Sequence, residues 1–571
     1  MGSAFHFLDW VVLVGYFVGT MGIGFYFYSQ TRSAEGFTAG NRSIPGWVCG
    51  LSIFATFLSS ISYLANAGKS FVADWNPFVF SLTVPMATWV AVKYFLPYYR
   101  KSRHVSAYAA LEDRFGLWAR MYASFFYMLT QLARMAVVMY LVALPMQVIF
   151  GWDIYLILAV VGISVTVYSL VGGVTAVIWT DAIQALVLMG GAVVVLVVML
   201  AQMPGGVGRV FEVAATHHKF SLGSFTPDMA EKTFWTITLF GVAENLRNFG
   251  IDQSYIQRYI ASKSDREAKR GLWLAGLLYV PMSAVFFFIG TSLFAFFQAD
   301  KIVDMESRPP AAMEESVWDS PELSDLNAVR QVVARQQLLQ AGRKDTDPGF
   351  SAEQEAVART KGLNDLGDRV FPYFISAYLP PGLTGLLIAA VFAAGMSTIS
   401  TSLNSSATLT LTDYYKRLVN PKASGKQEMT VLSLATIGWG ILGTGLAVLL
   451  VQVTESALDM WWTLSGIFSG GMVGLFLLGL ISRKVRNPAA VASVLIGLLV
   501  IIWMSLPKVA EMLMKASAES AVHRCGATLQ NLASGGLASP FNALLIPVVG
   551  TLVILVVGIT LTKIIDLRRK T

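Results

Sequence analysis

The sequence has little charge and almost no cysteine. Only 13% of its 571 residues are charged and 55% are hydrophobic, whereas about 25% of the residues in a soluble domain are charged. A soluble core could not bury that much apolar surface, so the expected solvent is a lipid bilayer. The two cysteines, Cys49 and Cys525, are far apart in the chain, and they give no disulfide framework.

Motifs for catalysis and for nucleotide use are also missing. The sequence contains no GxxxxGK[ST] loop, so nothing in it indicates ATP-driven pumping. None of the five histidines has metal-ligand spacing within an apolar stretch, and no catalytic constellation indicates an enzyme. The net charge of +7 comes from short basic clusters between apolar runs, which are typical of membrane loops and not of a nucleic-acid-binding protein.

Apolar stretches predict thirteen transmembrane helices, because roughly 18 or more apolar residues are needed to cross the hydrocarbon core. The first stretch has no basic n-region and carries Asp9 near its start, so we interpret it as a retained span and not as a signal peptide. The thirteen stretches are 7–28, 46–68, 77–98, 118–149, 153–171, 176–202, 234–257, 271–298, 382–412, 428–452, 457–481, 488–506 and 541–563.

The positive-inside rule orients these spans. Basic residues gather in alternate connections, and we assign those connections to the cytoplasmic side. The sequence therefore predicts a multi-pass protein of the cell membrane whose N-terminus lies outside and whose C-terminus lies inside. The clusters are Arg100 to Arg114, Arg258 to Arg270, Lys416 to Lys426, Arg483 to Arg486 and Lys563 to Lys570.

Two polar segments interrupt the pattern, and we expect both to decorate the outer side. The insert 300–368 is predicted to contain a helix from about Ser324 to a stop at Gly342. The stretch 507–540 is predicted to be amphipathic and then loop-like from Gly526 to Gly536.

Two spans are polar in their middle. The second span is rich in hydroxyl and small residues from Ala55 to Ser62. Such a stretch either unwinds and exposes carbonyls to an ion or packs closely against another helix, and both interpretations stay open. The seventh span contains Glu244 to Asn248 between Gly241 and Gly250, which makes local unwinding easier. The two spans are five helices apart, the spacing of an inverted repeat with its binding site between broken helices.

Hydroxyl groups are concentrated in the ninth span. Ser397, Ser400 and Thr401 stand at i, i+3 and i+4, next to Thr398, so several oxygens share one helix face. Hard cations prefer oxygen ligands, and this face is a candidate sodium site. Asp181, at the start of the sixth span, is either the anionic ligand of that site or a carboxylate at a helix N-terminus.

One charged side chain, Arg134, stands about halfway along the fourth span. A charge at that depth costs roughly 2.5–3.5 kcal/mol on insertion scales and calls for a partner. Its guanidinium suits bidentate capture of a substrate carboxylate. The alternative is a buried ion pair with Glu244 or Asp252 of the seventh span, and the sequence leaves both open.

Several segments resemble the sodium:solute symporter family. They are Ala39–Trp47, Ser52–Ser60, Gly172–Gln184, Asp252–Arg258 and Ala393–Ser406. The resemblance covers about residues 7–500 and implies an all-α polytopic fold with a leucine-transporter-like 5+5 inverted repeat. The implied units are an extra N-terminal helix in 1–30, a first repeat in 46–202, a second repeat in 234–481 with the insert 300–368, and two C-terminal helices in 488–571 with the external loop 507–540.

The resemblance also implies sodium ligands. A site shared by most members would use the carbonyls of Ala55, Leu58 and Ala394 and the hydroxyls of Ser397 and Thr398, where Thr398 replaces a commoner serine. A second sodium ion, found in some members, would use Asp181, Ser397, Ser400 and Thr401. We therefore expect one or two Na+ ions to bind.

Within the family, the chain is most similar to bacterial sodium/sialic acid symporters and more distantly to sodium/glucose cotransporters. This similarity places a substrate carboxylate at Arg134, beside Ser59 and Ser62. Gln131, Asn245 and Asn248 are further candidates for substrate binding. Phe57 and Ser81 stand where the sialic acid branch has threonine and glutamine, and Leu277 or a neighbour stands where galactose-binding relatives have lysine.

The expected function is sodium-coupled symport of a small organic solute, with a sialic acid or another carboxylated sugar as the first candidate. A neutral sugar, such as glucose or galactose, or a polyol is the alternative. A passive channel would not need two broken helices and a cation site, and a sensor would carry a signalling domain, whereas the sequence ends soon after Lys570. The expected partners are the solute, sodium and the bilayer, without nucleic acid and without a required oligomer.

Overall fold

The computed structural model is helical almost throughout. It describes residues 5–27, 33–102, 104–306, 320–340, 342–451, 456–481, 485–514, 521–534 and 539–568. Within those residues the extended structure is limited to an isolated parallel bridge between Ile44 and Ser262. The predicted all-α class is therefore confirmed.

Fifteen helices build the apolar body, and we number them in chain order. They are α1 Phe7–Phe27, α2 Gly46–Phe57, α3 Ile61–Val72, α4 Asn76–Ser102, α5 Leu117–Phe150, α6 Ile154–Leu170, α7 Gly173–Ala201, α8 Phe234–Ile251, α9 Gln253–Ala261, α10 Asp265–Phe296, α11 Leu383–Val419, α12 Gly425–Leu450, α13 Ala457–Ile481, α14 Asn487–Met514 and α15 Ala543–Leu567.

Nine of these helices, α4, α5, α7 and α10 to α15, are long and apolar enough to cross a membrane, counted over the described residues. The pair of α2 and α3 makes a tenth crossing if it is one bent span. Each of the thirteen predicted stretches coincides with a helix or a helix pair. Three of the thirteen stretches are not among these ten crossings. Two of them are α1 and α6, whose apolar parts are shorter. The third is the pair of α8 and α9, which are separated at Asp252 and contain Glu244 and Arg247.

Two of the predicted spans are broken in the middle, as their polar composition indicated. The axes of α2 and α3 differ by 56°, and Leu58 ends α2 with φ −87° and ψ 76°. Asp252 separates α8 from α9 with φ −75° and ψ 119°, and its carboxylate accepts a hydrogen bond from the backbone N–H of Ser254. The rings of Phe57 and Phe249 are 5.5 Å apart, so the two breaks are neighbours in space.

Glycines let α10 contact both halves of the broken second span. A Cβ atom on Gly46 would stand 2.2 Å from the carbonyl oxygen of Glu267, and one on Gly290 would stand 2.1 Å from that of Ala67. Gly50 faces the backbone of Gly271 in the same way. Small residues of this kind permit close backbone approach between membrane helices.

Helices also occur in the described parts of the two polar segments that interrupt the apolar pattern. In the insert, Ser324–Gln340 confirms the predicted helix, and Phe350–Arg359 and Leu363–Tyr378 follow it. The loop predicted from Gly526 was wrong, because Ala521–Ser534 is helical. A Cβ atom on Gly526 would meet Met514 N at 2.8 Å. This glycine therefore permits close packing between two helices, which the sequence pattern does not distinguish from a turn.

Part of each predicted unit lies outside the described residues. The structure does not describe 1–4 and 28–30 of the N-terminal unit, 103 of the first repeat, 307–319, 341 and 452–455 of the second repeat with its insert, or 515–520, 535–538 and 569–571 of the C-terminal unit.

Candidate functional site

The end of α2 lies against the hydroxyl-rich part of α11. Thr56 Oγ1 and Thr401 Oγ1 are 3.4 Å apart. A helix end leaves its last carbonyls without intrahelical partners, and here Thr56 O accepts a 2.5 Å hydrogen bond from Arg134 Nη2. The carbonyls of Ala55 and Leu58 belong to the same break. The structure thus brings both predicted α2 contributors of the sodium site close to α11.

The predicted α11 ligands are all buried. Thr398 Oγ1 donates a 3.1 Å hydrogen bond to Ala394 O, and Ser400 Oγ donates a 3.3 Å hydrogen bond to Ser397 O. Ser397 Oγ faces the carboxylate of Asp181, and neither this hydroxyl nor Asp181 Oδ1 makes a hydrogen bond of normal geometry to a described residue. A buried hydroxyl oxygen without a partner costs free energy unless a ligand satisfies it, so the donor set fits a hard cation.

Asp181 lies inside α7, and the alternative of a helix N-terminus is therefore excluded. Its Oδ2 atom accepts hydrogen bonds from Ser52 Oγ at 2.6 Å and from Arg258 Nη2 at 2.7 Å. Its Oδ1 atom makes no hydrogen bond of normal geometry to a described residue. Arg258 Nη2 also donates to Thr401 Oγ1 at 2.7 Å, which places the carboxylate beside the α11 hydroxyl face.

The role of Arg258 was missed by the sequence analysis, which counted it among the cytoplasmic loop charges. In the structure it is 1% exposed and donates further hydrogen bonds to Ser52 Oγ and Ser254 O. The positive-inside rule counts basic residues near span ends, so it does not separate an arginine in a loop from one that turns into the protein. The matching segment Asp252–Arg258 was the one available signal.

A cavity of about 50 Å³ lies at the meeting point of the two broken spans, which is room for a few water molecules. Arg134 reaches its wall and is 5% exposed. The guanidinium forms no ion pair with a described residue, neither with Glu244 nor with Asp252, and its Nε atom has no hydrogen-bond partner there. It lies 5.8 Å from the ring centre of Trp461.

Six of the eight predicted substrate-binding residues line this cavity, and they come from α2 to α5 and from α8. They are Phe57, Ser59, Ser62, Ser81, Arg134 and Asn248. The other two lie elsewhere: the amide of Asn245 donates to Phe80 O and Thr83 Oγ1, and Gln131 joins a buried network described next. Leu277 was predicted to stand at the lysine position of galactose-binding relatives. It is 55% exposed and does not line the cavity. Its neighbour Tyr279 does line the cavity.

A charged network joins the cavity to the interior. Arg247 pairs with Glu244 at 2.6 Å and with Asp252 at 3.4 Å, so both carboxylates share one buried arginine. Gln131 Nε2 donates to Asp252 Oδ2 at 3.2 Å and its Oε1 accepts from Ser402 Oγ at 2.7 Å. Glu244, which lines the cavity, is therefore connected to Ser402 of α11 through the side chains of Arg247, Asp252 and Gln131.

Aromatic rings form much of the remaining wall. Phe57 contacts Tyr279 with ring centres 4.3 Å apart, and Phe80 contacts Trp462 at 5.7 Å. Trp461 also lines the cavity. Sequence analysis did not select the tyrosine and the tryptophans, because aromatic residues are ordinary in apolar spans and give no positional signal. A solute can enter only when some of these rings move apart.

Comparison with known proteins gives a family and close relatives. A sequence-family model described as "Sodium:solute symporter family" matches residues 37–315 and 349–497. The sodium/sialic acid symporter SiaT of Proteus mirabilis is 30% identical over 506 residues, which cover 87% of this chain and 89% of that protein. The sodium/sialic acid symporter NanT of Aliivibrio fischeri is 28% identical, with 88% of each chain covered.

A solved structure is similar over almost the whole chain. It shows a Na+-coupled sialic acid symporter in a substrate-bound, outward-open state, and it superposes with a TM-score of 0.76 at 26% sequence identity. The match covers 98% of this chain and 98% of that one.

Proposed function

The chain belongs to the sodium:solute symporter family, and from this premise we propose that it imports a small carboxylated solute together with sodium, with a sialic acid as the first candidate. Membership makes it a multi-pass carrier of the cell membrane and not an enzyme. The observation that carries the choice of an acidic solute is Arg134, a buried cation at the cavity wall without an ion-pair partner among the described residues.

A solute carboxylate would satisfy this cation. Leaving a charge buried and unpaired is costly, and breaking a buried pair typically costs about 3–5 kcal/mol. Ser59, Ser62 and Asn248 line the same cavity and offer hydrogen bonds to hydroxyl or amide groups on the solute. The names of SiaT and NanT make a sialic acid the first acid to test.

Sodium is the second cargo. We assign its first site to the carbonyls of Ala55, Leu58 and Ala394 and the hydroxyls of Ser397 and Thr398. The support is the burial of all five residues and Ser397 Oγ, which makes no hydrogen bond of normal geometry to a described residue. These ligands come from α2 and α11, so a bound ion would hold the two helices together.

A second sodium ion would use Asp181, Ser397, Ser400 and Thr401. The Oδ1 atom of Asp181 supports this assignment, because it makes no hydrogen bond of normal geometry to a described residue. Arg258 already donates to the other carboxylate oxygen and to Thr401, so a second ion would share these groups with a fixed positive charge. We expect the second site to bind sodium more weakly than the first for that reason.

The proposed architecture keeps thirteen spans, with the N-terminus outside and the C-terminus inside. After the extra helix α1, the repeat units 46–202 and 234–481 each contain five spans, and each begins with a broken one. The insert 300–368 and the segment 507–540 then lie outside, and α14 and α15 follow the second repeat.

In the transport cycle, outside sodium binds between α2 and α11 and stabilises an outward-open state. The solute then binds at Arg134, and the helices around the two breaks tilt to open the inner side. Each sodium ion moving down about 100 mV supplies about 2.3 kcal/mol before its concentration gradient is counted.

A neutral sugar or polyol is the second candidate, and Phe57 and Ser81 favour it. They put an aromatic ring and a short hydroxyl in the cavity, at the positions where the sialic acid branch has a threonine and a glutamine. In a neutral solute, however, no group would pair with Arg134.

Uptake into proteoliposomes tests the proposal. Sialic acids, hexoses, inositols and monocarboxylates would each be offered with and without an inward sodium gradient. We expect a sodium gradient to drive accumulation of an acid, and we expect Arg134→Ala to raise KM for that acid by about 100-fold, since removing one partner of a buried charge pair is costly. Arg343→Ala, on the exposed insert, is the matched control.

Sodium binding has its own variant pair. Ser397→Ala should lower sodium affinity about tenfold, because it removes a direct ligand worth roughly 1.4 kcal/mol. Ser406→Ala removes another buried, unpartnered hydroxyl of α11 and should leave sodium affinity unchanged. Equal uphill uptake without sodium would contradict coupling, and an unchanged KM in Arg134→Ala would contradict the carboxylate contact.

A further inference from the structure

Three charged side chains meet at one end of the helix bundle. Lys69 of α3 and Lys232, two residues before α8, both pair with Asp459 of α13, with Nζ–Oδ distances of 2.9 Å and 2.7 Å. Their side chains are 24%, 45% and 26% exposed. Two ammonium groups therefore share one carboxylate at a place that solvent reaches, and one positive charge is left over.

This cluster lies directly outward of the substrate cavity. Lys69 follows the cavity-lining Asn66 by one helical turn, and Asp459 follows the cavity-lining Leu458. Two larger cavities, of about 490 and 430 Å³, meet at Asp459: Lys69 lines the first and Lys232 lines the second. In the proposed topology both cavities open to the outside, so a solute on its way to Arg134 passes the cluster.

Among the lining residues that the structure describes, the other charges around the two cavities balance one another. In the first cavity, Lys361 and Arg369 stand with Asp365 and Asp368. In the second cavity, Lys508 pairs with Glu511 at 2.7 Å. Within this described set, the surplus positive charge is carried by the two lysines that share Asp459.

We propose that Lys69 and Lys232 form an outer docking site for the carboxylate of the solute, and that Asp459 occupies this site while no solute is present. The proposal rests on the proposed transport of an acid. An arriving carboxylate takes the place of Asp459 on the two ammonium groups. The ion pair of Lys69 and Asp459 connects α3 to α13. When Asp459 leaves the lysines, this connection is lost and the outer mouth above Arg134 becomes looser.

The docking site predicts opposite effects for removing a lysine and for removing the aspartate. With N-acetylneuraminate as the probe, Lys232→Gln should raise KM about threefold to tenfold at low ionic strength, since a lost charge slows steered association. The effect should shrink at about 0.3 M salt because of screening. Asp459→Asn frees both lysines and should lower KM.

Matched controls distinguish a role of Lys232 in binding the solute from a purely structural role. Lys508→Gln removes a lysine from the same mouth and should leave KM unchanged, and Lys232→Arg keeps the charge and should behave like the wild type. The neutral methyl ester of the probe should not respond to Lys232→Gln. Sodium would be held constant and ionic strength varied with choline chloride.

Two results would overturn the docking site. If Lys232→Gln changes KM no more than Lys508→Gln, the lysine pair does not bind the solute. If Asp459→Asn raises KM as Lys232→Gln does, the three residues only hold the mouth together. If the wild type accumulates neither this probe nor any other acid of the uptake screen in a sodium gradient, the proposed function has failed, and the docking site fails with it. If another acid is accumulated, that acid replaces N-acetylneuraminate as the probe in the same variants.

Discussion

At the scale of single residues, three arginines are buried among the described helices of the apolar body, apart from Arg330 of the insert. Arg258 pairs with Asp181, and Arg247 is shared by Glu244 and Asp252. Arg134 is the third, and it forms no ion pair with a carboxylate among the described residues. One arginine is thus left for a ligand, while the others hold helices together.

The pair of Asp181 and Arg258 gives a prediction about stability. Asp181→Asn and Arg258→Met each leave one charge buried without its partner, and each should cost about 3–5 kcal/mol. The double variant removes both charges and should cost less than the two together. Thermal unfolding in detergent without sodium measures these costs.

A surface pair supplies the control for this cycle. Arg343 and Glu353 are about 40% exposed, and exposed pairs contribute about 0–1 kcal/mol. Arg343→Met and Glu353→Gln should hardly shift the melting temperature. Additive costs at Asp181 and Arg258 would mean that the two side chains do not interact in solution.

Residue types predicted many of the side chains that the structure brings together at the two helix breaks, but the contacts among these side chains did not follow from residue type. Ser397 and Thr401 stand out in the sequence because a hydroxyl group inside an apolar span costs free energy unless it has a partner. By contrast, Gln131 and Asn245 look as suitable for a solute as Asn248 does. Only the packing decides that the first two donate to Asp252 and Phe80 O.

At the scale of helices, the C-terminal end of α3 is held by a lysine from the connection between α7 and α8. Lys219 Nζ donates to Phe71 O at 2.9 Å and to Ala73 O at 2.8 Å, and it lies 3.7 Å from the ring centre of Phe294. A cation suits a helix C-terminus. Burial nevertheless lowers the pKa of Lys219 to about 7, against an opposing attraction from Asp74.

This lysine predicts a pH dependence of stability. The pKa of Lys219 falls from 10.5 in the unfolded chain to about 7 in the folded one, so the unfolded state binds more protons between these values. Stability should therefore rise as pH increases from about 7 towards 10.5. Below pH 7 the lysine is protonated in both states and adds no slope.

Melting temperatures at pH 7 and pH 9 check this prediction. The gain between the two pH values should be larger in the wild type than in Lys219→Met. Lys263→Met, in the connection between α9 and α10, is the control. His217, whose ring packs on Phe294, and Asp74 also face the lysine, so His217→Gln would be measured beside it. An equal gain in wild type and Lys219→Met would contradict the prediction.

Composition located the helix breaks better than the helix ends. The polar middle of 46–68 and of 234–257 marks both breaks, because a polar backbone segment is stable in a membrane only where it lines protein or a cavity. The end of α14 was placed at 506, yet the helix continues through Pro507 to Met514. Amphipathic turns beyond a span are stabilised by contacts that the apolar pattern does not contain.

At the scale of the whole molecule, hydropathy predicted the order of the apolar helices along the chain. It did not determine how many of these helices cross the membrane. α6 and the apolar part of α1 are shorter than the usual length of a span, and α8 with α9 is broken and charged. Such helices cross a membrane only when neighbours cover their polar groups. Tertiary packing, and not local apolarity, decides these three.

The two cysteines provide a test of the proposed topology. Cys525 is exposed on the helix Ala521–Ser534, and Cys49 is buried in α2. A membrane-impermeant maleimide should therefore label intact cells once, at Cys525, with labelling measured as a mass shift. Cys525→Ser should abolish the label, whereas Cys49→Ser should not. Labelling only after the cells are opened would reverse the proposed orientation.

The glycine contacts of α10 have a mechanical consequence. The bend between α2 and α3 lies along α10, whose backbone touches α2 at Gly46 and Gly50 and touches α3 at Ala67. Pro281 of α10 stands between these two sets of contacts, and it is the point at which α10 can bend. At the glycine contacts themselves, bending would force peptide groups into each other. A change in the bend of the second span therefore requires a matching change at Pro281, and without one the two half-helices and α10 move as one body against α11 and α13.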